Sequence, residues 1–258
     1  MYKIKNLNYN IAKKDILIDM SFNIKKNNFL AIVGPNGCGK STLMKTINKS
    51  IFLYKGSITL DDIDIEEYDD KELALKRSVL NQSFTFPYSF KAKEIIEMGL
   101  YSYTVSVKKK KELLSYIIDK LDIHSLKDKD YQNLSGGEQQ KIQLARVVLQ
   151  IYVSPKKEKY LFLDEPTLNL DIYYQYKILD LTKELITDLG IGVCAILHDL
   201  NQAYIYSNEL IMIQEGEIKY YGKTNDILNE KHIFDIFKVK SDFVYSKKLE
   251  KTILVNSL

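Results

Sequence analysis

The sequence has little cysteine, little proline and no long apolar run. Its two cysteines, Cys38 and Cys194, give neither a disulfide framework nor the spacing of a metal site. Four prolines in 258 residues exclude collagen-like and linker-dominated chains, and 45% hydrophobic residues exclude a disordered one. The longest apolar stretches, such as 191–197, fall short of the roughly 18–20 residues that cross a bilayer. We therefore expect a folded, soluble chain without a membrane span.

The sequence also lacks an excess of charge of either sign. Its 37 Lys and Arg residues against 34 Asp and Glu residues leave a formal net charge of +3, which is too small to indicate nucleic-acid binding. Residues 1–7 lack the apolar segment of an export signal, so we expect a cytoplasmic protein. The length fits one large domain, or a compact core with one inserted subdomain.

The order of apolar patterns predicts an α/β fold. Residues 3–7 and 20–24 alternate like half-exposed strands. Continuous apolar runs at 29–33, 160–163 and 193–197 indicate buried strands of a parallel sheet. Between these runs, apolar residues recur at helical spacing, which predicts a mostly helical insertion. Near the carboxyl end, the pattern predicts a hairpin (210–213 with 217–220) and a final helix (227–239).

A phosphate-binding loop is predicted where the first buried strand ends. The pattern G-x-x-x-x-G-K-[ST] runs from Gly34 to Ser41, with a strand before it and a helix after it. Glycines let main-chain N–H groups converge on phosphate oxygens, Lys40 reaches the β- and γ-phosphates, and the Ser41 hydroxyl binds Mg²⁺. The predicted ATP-binding residues here are Gly34, Pro35, Asn36, Gly37, Cys38, Gly39, Lys40, Ser41 and Thr42.

The strand 160–163 ends in two carboxylates, Asp164 and Glu165. The carboxyl end of a parallel sheet is the edge where a phosphate loop also lies, so these side chains are predicted to join the site. Asp164 is the predicted Mg²⁺ ligand, and Glu165 is the predicted general base for an attacking water. Together with the loop, they predict a P-loop nucleotidase without choosing among kinases, GTPases and ATPases.

A second helix start follows Leu134 and has the sequence Ser-Gly-Gly-Glu-Gln. Helix starts rich in free N–H groups bind anions, so this segment predicts a second anion site. One phosphate does not need both sites of one chain from a single direction. The arrangement makes sense if two copies of the chain face each other head to tail.

The string Leu-Ser-Gly-Gly-Glu-Gln resembles the signature of ABC transporter ATPases, and the likeness extends over essentially the whole chain. It implies a P-loop NTPase of the ABC type, with a RecA-like mixed sheet, an N-terminal antiparallel β-subdomain and a helical signature subdomain. The nucleotide-binding core is predicted to cover 1–82 and 155–258, and the helical insertion 83–154. The resemblance also implies that signature residues bind the ATP of the opposite protomer, and those residues are Ser135, Gly136, Gly137 and Glu138.

Further site residues follow from the same resemblance. Gln82 matches the glutamine that contacts Mg²⁺ and senses the membrane partner, and His198 matches the histidine that contacts the γ-phosphate. Asp171 lies in the segment that resembles the D-loop. The family stacks an aromatic ring on adenine where this chain has Ile11, so either aliphatic packing by Ile11 or the nearby ring of Tyr9 is expected to hold the base.

Within the family, the chain is most similar to importers of haem, iron-siderophores and cobalamin. The features that carry this likeness are the runs 77–82, 86–90, 97–99 and 198–203. The Phe-Pro-Tyr segment and the extra stretch 152–159 resemble haem importers, with siderophore or cobalamin import as alternatives. A soluble non-transport ABC ATPase is the alternative of another class.

The implied partners are a second copy of the chain, separate permease subunits and an extracytoplasmic substrate-binding protein. The permease is expected to contact the surface from Phe84 to Tyr103. The implied cofactors are ATP and Mg²⁺, and the implied location is the cytoplasmic face of the cell membrane.

Overall fold

A computed structural model describes residues 1–81 and 88–257 of the chain. These residues form two compact units, the first made of 1–67 and 194–258 and the second of 68–193. The predicted boundaries at 82 and 155 remain a prediction.

The described residues form twelve strands and nine α-helices. The strands are β1 (Tyr2–Ile11), β2 (Lys14–Ile24), β3 (Asn28–Val33), β4 (Lys55–Leu60), β5 (Ile63–Asp64), β6 (Arg77–Leu80), β7 (Tyr160–Asp164), β8 (Gly192–Ile196), β9 (Glu209–Gln214), β10 (Glu217–Lys223), β11 (Lys240–Ser246) and β12 (Lys251–Ser257). The α-helices are α1 (Lys40–Ile47), α2 (Asp70–Lys76), α3 (Ala92–Glu97), α4 (Val107–Leu121), α5 (Gly136–Val153), α6 (Ile172–Leu189), α7 (Leu200–Tyr206), α8 (Thr224–Ile227) and α9 (Glu230–Phe237).

The first unit contains an antiparallel sheet in the order β2-β1-β4-β5. Its other strands run in the order β10-β9-β3-β8, with β3 parallel to β9 and β9 antiparallel to β10. Strand β3 is buried along nearly its whole length because its residues are continuously apolar. The antiparallel N-terminal sheet and the mixed sheet confirm the predicted α/β fold class.

The second unit contains the parallel pair β6 and β7, in which Arg77 lies opposite Tyr160. Helices α3, α4 and α5 follow the apolar spacing that predicted a helical insertion. Helix α5 buries one face through Ile142, Ala145 and Leu149, which recur every three to four residues. Among the described residues, no helix combines the length and the apolarity that a bilayer crossing needs.

Two features of the fold differ from the sequence-based expectation. Strand β6 was not predicted; it directly follows α2 and lies before the predicted start of the helical insertion at residue 83. The predicted final helix is two helices, α8 and α9, and the hairpin of β11 and β12 follows them. This hairpin is attached to α7 because the Asn201 side-chain amide donates to the Leu254 carbonyl at 3.0 Å and accepts from the Leu254 N–H at 2.7 Å.

Candidate functional site

The loop Gly34–Ser41 connects β3 to α1 in the first unit and closes around one lysine. The Lys40 ammonium donates to the carbonyl oxygens of Gly34 (2.8 Å) and Pro35 (2.9 Å), and its side chain is buried. Helix α1 has no side-chain cap at its N-terminus. The positive end of this helix suits an anion.

The position before α1 requires a residue without a side chain and a backbone with positive φ. Gly39 has φ 106°, and a Cβ atom added there would lie 2.8 Å from the Ile16 carbonyl oxygen and 3.1 Å from Leu17 Cδ2. A side chain at this position would therefore both strain the backbone and collide with β2. Ser41 and Thr42 follow in the first turn of α1, and both are half-buried.

Cys38 lies inside the loop and is 6% exposed. Burial raises the pKa of its thiol, and the positive charge of Lys40 opposes that shift without cancelling it. The thiol is therefore a poor thiolate source in the folded protein.

His198 follows β8 in the same unit, and the segment before it is bonded to β3. The Leu197 N–H donates to the carbonyl of Ile32 at 3.1 Å, and Ile32 lies two residues before Gly34. The exposed imidazole of His198 thus follows a segment joined to the strand that enters the loop.

The two candidates for the adenine contact differ in their surroundings. Tyr9 is half-buried and lies opposite Leu17, whose side chain approaches Gly39. Directly opposite residues of an antiparallel pair share a face, so Tyr9 lies on the face of β1 that Leu17 occupies on β2. Ile11 lies beside the turn into β2, opposite Lys14, and is 53% exposed.

In the second unit, β7 leads straight into the two carboxylates. Asp164 is 2% exposed and Glu165 is 9% exposed. Buried carboxylates need charged or hydrogen-bonding partners, and a cation is one such partner. The Asp164 carboxylate offers oxygen donors, which is the chemistry that Mg²⁺ prefers. The described residues contain no cluster of three or more His, Cys, Asp or Glu that could form a metal site by itself.

The signature segment starts α5 with a reciprocal cap. The Ser135 N–H donates to Glu138 Oε2 at 2.8 Å, and the Glu138 N–H donates to Ser135 Oγ at 3.3 Å. The hydrogen bond from the Ser135 main chain is the largest cause that lowers the pKa of Glu138. Ser135 and Gly136 are exposed, so this helix start is open to another molecule.

The first turn of α5 packs against the D-loop segment. A Cβ atom at Gly137 would lie 2.6 Å from the Asn169 carbonyl oxygen. Asp171 caps α6 by accepting from the Tyr174 N–H at 3.0 Å, and its carboxylate lies 3.8 Å from Lys141 Nζ. The Lys141 ammonium is 3.1 Å from the ring centroid of Tyr174.

The structure thus distributes the predicted site residues over both units. The first unit holds Tyr9, Ile11, the phosphate loop and His198, and the second holds the carboxylates, the signature residues and Asp171. Gln82 and residues 84–87 of the predicted permease surface lie outside the described residues. Of that surface, Tyr88 and Tyr101 are described and strongly exposed.

Sequence reasoning missed Gln140, whose side-chain amide donates to the carbonyl oxygens of Glu165 (3.3 Å) and Pro166 (3.5 Å). A signal for it was present, because Gln140 lies three residues after Gly137 and therefore on the same face of α5.

Comparisons with known proteins agree on one family. The family model described as "ABC transporter" matches residues 17–168. The Hemin import ATP-binding protein HmuV of Shewanella denitrificans is 34% identical over 99% of this chain and 100% of its own length. The protein of the same name from Escherichia coli O157:H7 is 34% identical over 89% of each chain. A dimeric ATP-binding cassette solved in a post-hydrolysis state with ADP and Pi has a TM-score of 0.76 and 26% identity, and the match covers 87% of this chain and 99% of that one.

Proposed function

The chain belongs to the ABC transporter family, and we propose that it is the ATP-hydrolysing subunit of an importer that takes up haem. The observation that supports haem as the cargo is the similarity to proteins named for hemin import, which extends over 99% of the chain in one case. The same role in iron-siderophore or cobalamin import is the second candidate, because no described residue has a contact that would choose the cargo.

The proposed reaction is hydrolysis of ATP held at the phosphate loop. Lys40 and the N–H groups at the start of α1 bind the phosphate oxygens, and His198 contacts the γ-phosphate. Glu165 takes the proton from the attacking water as general base. Ser41, Gln82 and Asp164 would hold Mg²⁺, which neutralises phosphate charge when it is bound. The half-buried ring of Tyr9, on the face of Leu17, supports Tyr9 over Ile11 as the adenine contact.

The proposed active form is a homodimer in which the signature residues contact the partner's ATP. The open helix start at Ser135 and Gly136 supports this arrangement, as does the dimeric state of the related cassette. Permease subunits would bind the surface that includes the exposed rings of Tyr88 and Tyr101. The chain would then lie on the cytoplasmic face of the membrane, and the permease would receive cargo from an extracytoplasmic substrate-binding protein.

Two substitutions test the ATPase proposal. Glu165→Gln should retain ATP binding, accumulate closed dimers and lose turnover, and normal turnover would refute the role of Glu165. Ser135→Arg should abolish turnover with little effect on nucleotide affinity, since the site it blocks belongs to the partner. Full activity of that variant would exclude the facing arrangement.

Transport tests the cargo. The chain is co-expressed with its permease, and the purified complex is reconstituted in vesicles with the substrate-binding protein. We expect ATP-dependent uptake of hemin and no uptake by a Glu165→Gln complex. Uptake of ferric siderophore or cobalamin instead of hemin would show that haem is not the cargo. Failure of the chain to bind any membrane protein would favour a soluble ABC ATPase.

A further inference from the structure

The main chain of Glu165 has an unusual conformation. Its φ is 52°, in the left-handed region that residues other than glycine rarely adopt. Pro166 follows directly, and a residue before proline is pushed towards extended backbone by the proline ring. Both effects disfavour the observed geometry, so the surrounding structure must hold it in place.

Two hydrogen bonds to the Glu165 carbonyl supply that support. The Leu168 N–H donates to it at 3.2 Å and closes a turn around Pro166. The Gln140 amide donates to the same oxygen at 3.3 Å and to the Pro166 oxygen at 3.5 Å. The Leu168 bond is local, whereas the Gln140 bonds come from helix α5, 25 residues away along the chain.

Helix α5 can approach the Glu165 carbonyl closely because Gly137, in the first turn of the helix, has no side chain where the helix meets Asn169. Gly137 lies one turn before Gln140, and its position against the Asn169 carbonyl leaves no room for a Cβ atom. Gln140 itself is half-buried, which shields its hydrogen bonds from competing water.

We propose that Gln140 is a positioning residue for ATP hydrolysis, because it holds the left-handed main chain of Glu165 and so aims the Glu165 carboxylate. The proposal rests on the proposed role of Glu165 as general base. Because Ser135 caps the same helix, the position of the signature helix and the direction of the base are linked within one subunit.

The first test removes both donors while preserving side-chain length. Gln140→Met in the full-length chain should lower kcat for ATP hydrolysis about ten- to a hundredfold, since small misplacements of a reacting group cost that much. The KM for ATP should change less than about twofold, because only the reacting geometry is altered.

Gln150→Met is the matched control. Gln150 lies on the same helix, and its amide likewise donates to two main-chain carbonyls, those of Ala74 (3.0 Å) and Arg77 (3.2 Å). It should lower the unfolding temperature at least as much as Gln140→Met, because the Gln150 side chain also accepts from the Ser78 hydroxyl at 3.0 Å, and it should leave kcat within about twofold. Equal losses of kcat in the two variants would mean that Gln140 has only a structural role.

A double-variant cycle separates this proposal from the one it rests on. If Gln140 acts only through Glu165, adding Gln140→Met to Glu165→Gln should not lower the residual single-turnover rate further. A further loss equal to that of the single variant would overturn the positioning role, while leaving Glu165 as the base. Normal turnover of Glu165→Gln would instead overturn the proposed function.

A second variant applies if Gln140→Met does not fold. Gln140→Glu keeps the shape, but its carboxyl can donate only when protonated. Its kcat relative to the parent should rise as pH falls, and a pH-independent ratio near one would refute the positioning role.

Discussion

Replacing Gly137 with alanine is expected to destabilise the protein, whereas the same change at Gly136 is expected to stabilise it slightly. Both glycines lie in the first turn of α5, so both gain about the same helix propensity from alanine. They differ in their surroundings. The added Cβ lies 2.6 Å from the Asn169 oxygen at Gly137 and meets nothing within 4 Å at Gly136.

The size of the effect follows from that contact. Lengthening it from 2.6 Å to an ordinary 3.4 Å requires a shift of about 0.8 Å. The turn that leads to Asn169 is closed by the bond from Leu168 to Glu165, and Asn169 itself is left-handed with φ 60°, so the carbonyl cannot move freely. Overpacking of this kind costs about 1–3 kcal/mol. The propensity gain of roughly 0.5–1 kcal/mol offsets part of this at Gly137 and stands alone at Gly136.

The assay is thermal unfolding of both variants without nucleotide, because bound ligand would shift the transition. The difference between the two variants removes the propensity contribution and isolates the contact. At about 2–4 °C per kcal/mol for a chain of this size, Gly137→Ala should unfold roughly 2–12 °C below Gly136→Ala. Equal transition temperatures would refute the close approach of α5 to the D-loop segment.

Three further predictions test separate parts of the structure. The hydrogen bond from the Ser135 N–H lowers the pKa of Glu138 in the folded state, so the bond stabilises the protein above the ordinary glutamate value of 4.5, and this stabilisation is lost as pH falls below that value. The stability advantage of the parent over Glu138→Gln, measured by urea unfolding, should therefore shrink from pH 7 to pH 3. A constant difference would contradict this assignment. Asn201→Ala should lower the free energy of unfolding by about 1–3 kcal/mol, because the N–H and carbonyl of Leu254 both lose their hydrogen-bond partner. Amide hydrogen exchange in β12 should then be faster, and unchanged protection would exclude the attachment of the hairpin to α7. The Cys38 thiol, buried and with a raised pKa, should react with a thiol reagent at pH 8 much more slowly in the folded than in the urea-unfolded chain, and equal rates would show that the loop opens readily.

Much of the site could be predicted from short-range pattern. The phosphate loop is contiguous, and its glycines, Lys40 and Ser41 lie between an apolar strand and a helix, which is the order the structure has. The position of Asp164 at the end of a buried strand follows from an apolar run that ends in acid. The start of α5 at the Ser-Gly-Gly segment is likewise a local signal, because the capping residue and its partner are three residues apart.

The elements that were missed have weak local signals. Strand β6 is four residues long, buries only two of them and follows α2 without a turn, so its pattern merges with the helical spacing around it. The hairpin of β11 and β12 is mostly exposed, and Leu254 is its one buried residue. Its attachment depends on Asn201, 53 residues away along the chain, and no periodicity reports such a contact.

Helix α5 shows why the site needs long-range contacts as well as motifs. The turn containing Gly137 and Gln140 contacts the segment that follows β7. Further along the helix, Arg146 donates to the Val79 carbonyl and Gln150 to that of Arg77, so the same helix also holds β6. Strand β6 leads within two residues to Gln82, the predicted sensor of the membrane partner. Helix α5 therefore contacts both strand β6 and the segment that carries Glu165 inside a single unit. Motifs locate the reacting groups along the sequence, whereas contacts such as those from Gln140 to the Glu165 and Pro166 carbonyls form only in the folded chain.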